Sequence, residues 1–438
     1  MYYWNPANLA VVACPGAEAF AEQVTVHLKT HYRRIFEKAA VDMSKRYAQP
    51  VEEITRRINF ISEIVTPSTN LYHENLKPHT PKFKVPVRFS MFANGEFKCE
   101  ILNSIRGKDV FIFQDMENHC PLKINDGTET WNFSVNDHLI ALYVTIDAAV
   151  QAAAEHITVV LPTYPYSRQH KRKGREGLTA SRIGYILEML GVNRIITLDI
   201  HSRELVNGFH KVKFENLHAS HQIIKALFNL LVTPAELDNF VIVSPDTGAV
   251  DRNKFYATAL KKPLALLYKE RDYSHISKNA GDNNIAVMKL LGDVHGKNVF
   301  MADDMLGTGG TMLKAMKFLK DEGAGKVIAA ISLPLFSGDA IKFFDDAYKQ
   351  GYFYRIIGTN AVTHGELLKR EWYVNVNISK LFAQVILRLH QKLSLSSLLD
   401  NREVIIKSVA AKEHAAGSER QGFLFGAHTR PAPEAPLE

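Results

Sequence analysis

The chain of 438 residues contains only three cysteines, Cys14, Cys99 and Cys120, and their spacing resembles no metal-binding motif. A set this sparse and odd in number argues against a disulfide-rich secreted domain and favours a reducing compartment. No apolar run is long enough to span a bilayer, and the N-terminus lacks the basic region and apolar core of a secretory signal. We therefore expect a cytoplasmic protein without membrane association.

The sequence also lacks other features, and their absence argues against some classes of function. The sequence contains no P-loop of the form GxxxxGK[ST], which argues against the commonest ATPase architecture. No repeat of fixed period is present. The net charge of +7 is modest for this length and suits anionic substrates as well as nucleic acid. Hydrophobic residues nevertheless make up 46% of the chain, which predicts a globular protein with two or three domains.

One stretch combines a predicted buried strand from Asn298, an acid pair, a glycine-rich turn and an amphipathic helix. The acids are Asp303 and Asp304, and the turn with the helix start comprises Gly307, Thr308, Gly309, Gly310 and Thr311. Glycines let the backbone approach a ligand, and a helix N-terminus offers unpaired N–H groups to an anion. The acids would repel a phosphate but suit hydroxyls or a metal beside it, as in a ribose phosphate. An ordinary strand–helix turn with solvated acids is the alternative for a single short motif.

Strands alternate with helices in both halves of the chain, which predicts an α/β fold with parallel sheets covered on both faces. Residues 31–80 are predicted to be a surface insertion, helical to about residue 64. Residues 114–135 and 272–285 are predicted to be loops, and the chain from residue 411 a disordered tail. In folds of this kind, ligands bind beyond the carboxyl ends of the strands.

Chemically active side chains follow several predicted strands. Asp199 and His201 share one face of a strand end and are candidates for a divalent metal. Asp246 ends the predicted buried strand that begins at Phe240, and Lys269 and Arg271 end the next one. A histidine at a strand end is often structural, so both interpretations of His201 stay open.

Two further segments are candidates for binding. Between residues 163 and 177, aromatic residues precede five Lys or Arg residues within eight positions. Such a loop could close over a triphosphate, bind nucleic acid or be merely solvated. Asn94–Gly95 is a strong turn signal, and Glu96 could bond a base or a ribose, although a plain hairpin is the commoner use.

Six motifs together resemble the ribose-phosphate diphosphokinase (PRPP synthetase) family in order and spacing, between about Phe89 and Leu393. They are Pro165–Gln169, Leu198–His201, Ser244–Asp246, Lys269–Arg271, Asp303–Thr311 and Phe336–Asp339. The resemblance implies two tandem type I phosphoribosyltransferase-like domains, each a mainly parallel sheet flanked by helices. The first would span residues 1–222, completed by 379–410, and the second residues 223–378. The implied reaction transfers the β,γ-diphosphoryl group of Mg-ATP to the anomeric hydroxyl of ribose 5-phosphate, giving PRPP and AMP.

The resemblance also implies roles for individual residues. The catalytic cations would be Lys269 and Arg271. The ATP site would comprise Phe92, Asn94, Gly95, Glu96, Arg168, Gln169 and Lys171. The ribose 5-phosphate site would comprise Asp246, Asp303, Asp304 and residues 307–311, and the Mg2+ site His201, Asp246 and Asp199. The family self-associates, often sharing its ATP site between subunits, so a homo-oligomer (dimer or hexamer) is implied.

The chain departs from the family pattern in four places. Asn94 and Gly307 stand where acids are usual, His170–Lys171 where Asp–Arg is usual, and Lys211 where an acid is usual. Because the metal and cation positions are retained, we expect a divergent but active enzyme. The alternatives are a phosphoribosyltransferase that uses PRPP, and a non-catalytic regulatory subunit. Nucleic-acid binding through residues 168–175 lacks the expected aromatic platform.

Overall fold

A computed structural model describes residues 8–57, 71–72, 80–125, 127–172, 174–231, 233, 236, 238–271, 285–399 and 405. Within these residues the predicted α/β fold is confirmed. The strands are β1 Leu9–Ala13, β2 Leu71–Tyr72, β3 Thr80–Pro81, β4 Val87–Met91, β5 Phe97–Ile101, β6 Asp109–Phe113, β7 Leu122–Ile124, β8 Glu129–Trp131, β9 His156–Val160, β10 Arg194–Leu198, β11 Lys213–Leu217, β12 Phe240–Ser244, β13 Leu264–Arg271, β14 Ile285–Leu291, β15 Asn298–Leu306, β16 Val327–Pro334, β17 Arg355–Thr359 and β18 Tyr373–Val376. The helices are α1 Glu18–Tyr47, α2 Val135–Gln151, α3 Thr179–Met189, α4 Ser220–Leu230, α5 Val250–Leu260, α6 Gly310–Asp321, α7 Ala340–Lys349, α8 Ser379–His390 and α9 Ser396–Leu399.

The first large sheet has the strand order β1–β6–β9–β10–β11, and all its pairs are parallel. Every residue of β1 is buried, as expected for a strand with both faces covered. Helices α1 and α8 lie together on this sheet. The ring of Phe20 on α1 meets that of Phe382 on α8 edge-on at 5.3 Å, and His390 Nδ1 on α8 lies 3.0 Å from Asp109 Oδ2 on β6.

The second large sheet has the order β14–β13–β12–β15–β16–β17–β18. Its pairs are parallel except for β13 with β14. One hydrophobic core contains Phe113 and Leu198 of the first sheet together with Phe300 and Ile357 of the second. The shared core therefore fixes how the two sheets lie against each other.

Some predictions of local structure are wrong. Residues 114–135 are not all loop, because β7 and β8 pair there as a short antiparallel hairpin. Strands of three residues are too short to show alternation in the sequence. Helix α2 begins at Val135, the last residue of the predicted loop, because Ser134 and Asp137 form a capping box. The acid pair does lie at the carboxyl end of its strand as predicted, within the last four residues of β15, which continues to Leu306.

Other predictions meet the limits of the described residues. The predicted insertion is helical over α1 and residues 51–57. The rest of its predicted helix, the loop at 272–284 and the tail from residue 411 lie outside the described residues. No helix in the described ranges combines the length and the apolar character needed to cross a bilayer.

Candidate active site

The carboxyl ends of β10 and β15, from different sheets, meet at one cleft. His201 follows β10, and its Nδ1 lies 2.6 Å from Oδ2 of Asp304 in β15. The hydrogen bond to Asp304 raises the pKa of His201. Two groups that the sequence places in separate motifs, 103 residues apart, are thereby direct partners.

Asp199 lies beneath this contact and is almost completely buried. Its Oδ1 accepts a hydrogen bond from His218 Nδ1 at 2.7 Å, and its Oδ2 accepts from Ser332 Oγ at 2.6 Å and from the Ala219 N–H at 3.2 Å. Arg252 Nη1 lies 3.4 Å from Oδ1. Burial raises the pKa of Asp199, but the His218 hydrogen bond and the Arg252 charge outweigh it, so the pKa lies below its usual value.

These contacts give Asp199 a structural role that the family resemblance does not imply. Both of its carboxylate oxygens are already used, by a helix N-terminus, a histidine, a buried arginine and a serine of the other sheet. The structure therefore shows Asp199 as a junction between the sheets, and the Mg2+ contact implied by the resemblance stays a prediction.

The two carboxyl groups of the acid pair, Asp303 and Asp304, differ in pKa. Burial and the neighbouring Asp304 carboxylate raise the pKa of Asp303 to about 8. For Asp304, burial is outweighed by the hydrogen bond from His201 and the charge of Arg252, so its pKa is lowered. Two adjacent carboxyl groups whose pKa values are shifted apart suit hydroxyl groups of a ligand, since the protonated one donates and the ionised one accepts a hydrogen bond.

The turn after the acid pair is shaped to receive an anion. Gly309 has a φ of +75°, and a Cβ placed on it would lie 2.3 Å from Cε2 of Phe344, so only glycine fits. The N–H of Ser337 donates to the Gly307 carbonyl at 3.1 Å, which ties the turn to the neighbouring loop. Helix α6 then begins at Gly310, and Thr308 and Thr311 are exposed beside its N-terminus.

Two other predicted residue groups lie at the same edge of the second sheet. Asp246 follows β12, where its Oδ1 accepts hydrogen bonds from the N–H groups of Gly248 and Ala249, both at 3.0 Å. The backbone of Lys269 and Arg271 belongs to β13, and the structure describes nothing of their side chains. With neighbouring strands roughly 5 Å apart, β13 lies about 10 Å from β15.

The cationic loop of the first sheet reaches across the cleft. Arg168 Nε donates to Met305 Sδ at 3.0 Å. The ring of His170 meets that of His201 edge-on at 5.1 Å, and its buried Nδ1 has no hydrogen-bond partner within the described residues. Lys171 instead pairs with Glu204 at 3.3 Å on the surface, and the N–H of Gln169 donates to the Tyr166 carbonyl at 2.8 Å.

The turn from Phe92 to Glu96 is not joined to this cleft. It closes the hairpin of β4 and β5, with the Phe92 N–H donating to the Glu96 carbonyl at 2.9 Å and Asn94 Oδ1 accepting from the Glu96 N–H at 3.1 Å. Phe92 is 52% exposed. No hydrogen bond or ion pair recorded among the described residues links this turn, Gly95 included, to the residues at the β10 and β15 ends.

Arg252, His218 and Ser332, the partners of Asp199, were not predicted from the sequence as site residues. Arg252 lies on α5, where its position in an amphipathic helix gives no sign that it reaches the acids. His218 and Ser332 look like ordinary polar residues beside buried strands. The only available signal was the placement of all three near strand ends, which does not show which side chains meet.

The donors at this cleft fit Mg2+ in part. A histidine whose Nδ1 is held by a carboxylate presents Nε2 outward, which is the arrangement found at metal-ligating histidines, and Asp246 lies at the same sheet edge. Mg2+ usually keeps several waters and binds few protein groups together with substrate phosphates. Among the described residues, no group of three or more His, Cys, Asp or Glu side chains is placed to hold a metal by itself.

Comparison with known proteins gives consistent matches. A sequence model of the N-terminal domain of ribose phosphate pyrophosphokinase matches residues 68–191, and one of the phosphoribosyl transferase domain matches residues 213–364. Ribose-phosphate pyrophosphokinase A of Dictyostelium discoideum is 35% identical over 312 residues, which cover 71% of this chain and 88% of that protein. The ribose-phosphate pyrophosphokinase of Chlorobaculum tepidum is 33% identical over 316 residues, covering 72% and 87%. The crystal structure of phosphoribosylpyrophosphate synthetase from Mycobacterium smegmatis shares the fold, with a TM-score of 0.63 and 23% identity over 88% of this chain and 99% of that one.

We expect Asp199→Asn to lower the free energy of unfolding by about 3 kcal/mol, because it leaves the buried Arg252 without its closest counter-charge. Urea denaturation measures the change. Asp199→Asn combined with Arg252→Met should recover part of the loss, since both charges are then gone. Asp293→Asn is the control, because Asp293 pairs with Lys297 on the surface and should contribute little. Equal urea midpoints for Asp199→Asn and the unmodified protein would contradict the assigned role.

Proposed function

The chain belongs to the ribose-phosphate pyrophosphokinase family, and on that premise we propose that it transfers the β,γ-diphosphoryl group of Mg-ATP to the anomeric hydroxyl of ribose 5-phosphate, giving PRPP and AMP. The observation that carries the proposal is the 2.6 Å contact of His201 with Asp304. This contact puts the loop after β10 next to the acid pair. The loop would bind the phosphates of Mg-ATP, and the acid pair would bind the hydroxyls of the sugar.

The sugar phosphate is assigned to the second sheet. Asp303 and Asp304 would bond the ribose hydroxyls, and the backbone N–H groups of residues 307–311 would bond the 5-phosphate. The Asp246 carboxylate, held by its own turn, borders the same edge of the sheet. These contacts would fix the anomeric hydroxyl in the cleft, and such positioning supplies most of the catalysis in phosphoryl transfer.

Lys269 and Arg271 are assigned as the catalytic cations. Their strand β13 extends beyond the last residue of β12 that it pairs with, so its end projects over the cleft edge. Cations there would stabilise negative charge that develops on the transferred group. Mg2+, bound by the ATP phosphates with His201 and Asp246, would add charge neutralisation of the same kind.

The ATP site is assigned to residues of two copies of the chain. Gln169 and Lys171 belong to the same loop as Arg168, whose side chain contacts the cleft, whereas the turn from Phe92 to Glu96 has no hydrogen bond or ion pair to the cleft among the described residues. An exposed aromatic ring on a tight hairpin suits stacking on an adenine base of a neighbouring subunit. We therefore propose a homo-oligomer in which Phe92, Asn94, Gly95 and Glu96 complete the site of the adjacent protomer.

The domain limits are part of the same proposal. Residues 1–222 with 379–410 would form the first unit, and residues 223–378 the second. The contacts of α8 with α1 and β6 support the return of the chain to the first sheet. Location in the cytoplasm, where both substrates are available, is proposed as well.

The reaction itself is tested with purified protein, Mg-ATP and ribose 5-phosphate. We expect ribose-dependent release of AMP, because the bond broken lies between the α- and β-phosphates. Chromatography of the nucleotides distinguishes AMP from ADP. Release of ADP would refute the diphosphoryl transfer, and absence of ribose-dependent turnover would favour the non-catalytic subunit.

Lys269→Ala should lower turnover by about 100-fold or more, because a cation that stabilises the transferred group is lost. Binding of ribose 5-phosphate should change much less. Lys262→Ala is the matched control, since Lys262 precedes the same strand at its opposite end. Turnover of Lys269→Ala equal to that of the control would remove Lys269 from the catalytic machinery.

Shared ATP sites predict complementation between inactive variants. Phe92→Ala/Glu96→Ala and Lys269→Ala should each be nearly inactive alone. After mixing and reassembly, about one quarter of sites in a random assembly would combine an intact turn with an intact lysine, so AMP release should reappear. Mixtures that stay as inactive as their components would place the whole ATP site within one protomer.

A further inference from the structure

Arg168 lies against the sugar-phosphate turn of the opposite sheet. Its Nε donates to Met305 Sδ at 3.0 Å. A Cβ placed on Gly307 would lie 2.9 Å from Nη2 and 3.6 Å from Nη1 of the same guanidinium. Both Nη groups of Arg168 therefore cover position 307, at the entrance of the turn.

Space, and not backbone conformation, requires a glycine at position 307. Its φ is outside the left-handed region, unlike that of Gly309. A Cβ at 2.9 Å from Nη2 is too close, so any side chain would displace the guanidinium. The absence of a side chain at Gly307 and the position of Arg168 depend on each other.

Gly307 and Arg168 together leave a positive charge at the entrance of the turn. The family pattern has an acid at position 307, whereas this chain has no side chain there and a guanidinium above it. The turn is also where a phosphate would meet the N-terminus of α6. Because Nε is bonded to Met305, the two Nη groups are the donors that face the turn, and a guanidinium presents such donors to phosphate as a fork.

We propose that Arg168 binds the 5-phosphate of ribose 5-phosphate and sets the preference of this site for a phosphorylated sugar. The proposal rests on the proposed function and adds to the ATP contact implied for this residue. Arg168 lies on the loop of the first sheet and its guanidinium on the turn of the second, so it would contact both substrates and bring the two sides of the cleft together.

Calorimetric titration of the full chain with ribose 5-phosphate and with ribose, without ATP, tests the proposal. Arg168→Met should weaken ribose 5-phosphate binding by about ten- to hundredfold, as expected for a lost charged hydrogen bond, and leave ribose binding unchanged. Arg182→Met is the control, because Arg182 lies exposed on α3 over the Tyr185 ring.

Gly307→Ala tests the coupling. It should weaken ribose 5-phosphate binding in the unmodified chain, because it displaces Arg168, but should add nothing to Arg168→Met. Gly365→Ala, at an exposed position with open space around it, should be neutral in both backgrounds. The proposal is overturned if Arg168→Met binds ribose 5-phosphate within twofold of the unmodified chain, or if Gly307→Ala has the same effect in both backgrounds.

Failure of the proposed function and failure of the Arg168 assignment give different results. An unmodified chain that neither binds ribose 5-phosphate nor releases AMP would refute the proposed function and this inference with it. An unmodified chain that releases AMP, together with an Arg168→Met variant that loses only ATP affinity, would refute the inference alone.

Discussion

The buried carboxylate of Asp199 joins the two sheets, and the geometry of the cleft depends on it. Asp199 directly follows β10 of the first sheet, has a φ of +40° and accepts a hydrogen bond from Ser332 on β16 of the second sheet. A non-glycine residue in the left-handed region is strained, and such strain persists only where surrounding contacts hold it. Because His201 follows two residues later, the same contacts set the direction from which His201 meets Asp304.

Charge balance explains how three acids coexist at this junction. Asp199, Asp303 and Asp304 are all largely buried, and an uncompensated group of carboxylates would be costly there. Arg252 approaches from α5, pairs with Asp199 and lowers the pKa of Asp304, while Asp303 keeps its proton at neutral pH. The group therefore carries much less negative charge than three ionised carboxylates would.

The order of strands and helices and the acid pair followed by a glycine turn were predictable, because they depend on local apolar patterns and on short motifs. The partners of the strand-end residues were not. Asp199 and His201 looked equally suited to a metal. In the structure, the Asp199 carboxylate accepts a hydrogen bond from Ser332, 133 residues away, whereas His201 faces the cleft. The short β7–β8 hairpin was missed because its strands carry too few residues to show alternation. Side-chain partnership across a fold depends on packing that a single sequence does not display.

All four departures from the family pattern change charge in one direction. Asn94 and Gly307 remove an acid, His170 replaces an acid with an imidazole, and Lys211 replaces one with a cation. Two of them lie at contacts across the cleft, where Arg168 covers Gly307 and His170 meets His201. Losing acids around a site for polyphosphate and sugar phosphate strengthens attraction for anions, and such attraction is reduced by salt. The two departures at the cleft, Gly307 and His170, are therefore better explained as a shift towards a more positive substrate site than as independent losses of binding groups.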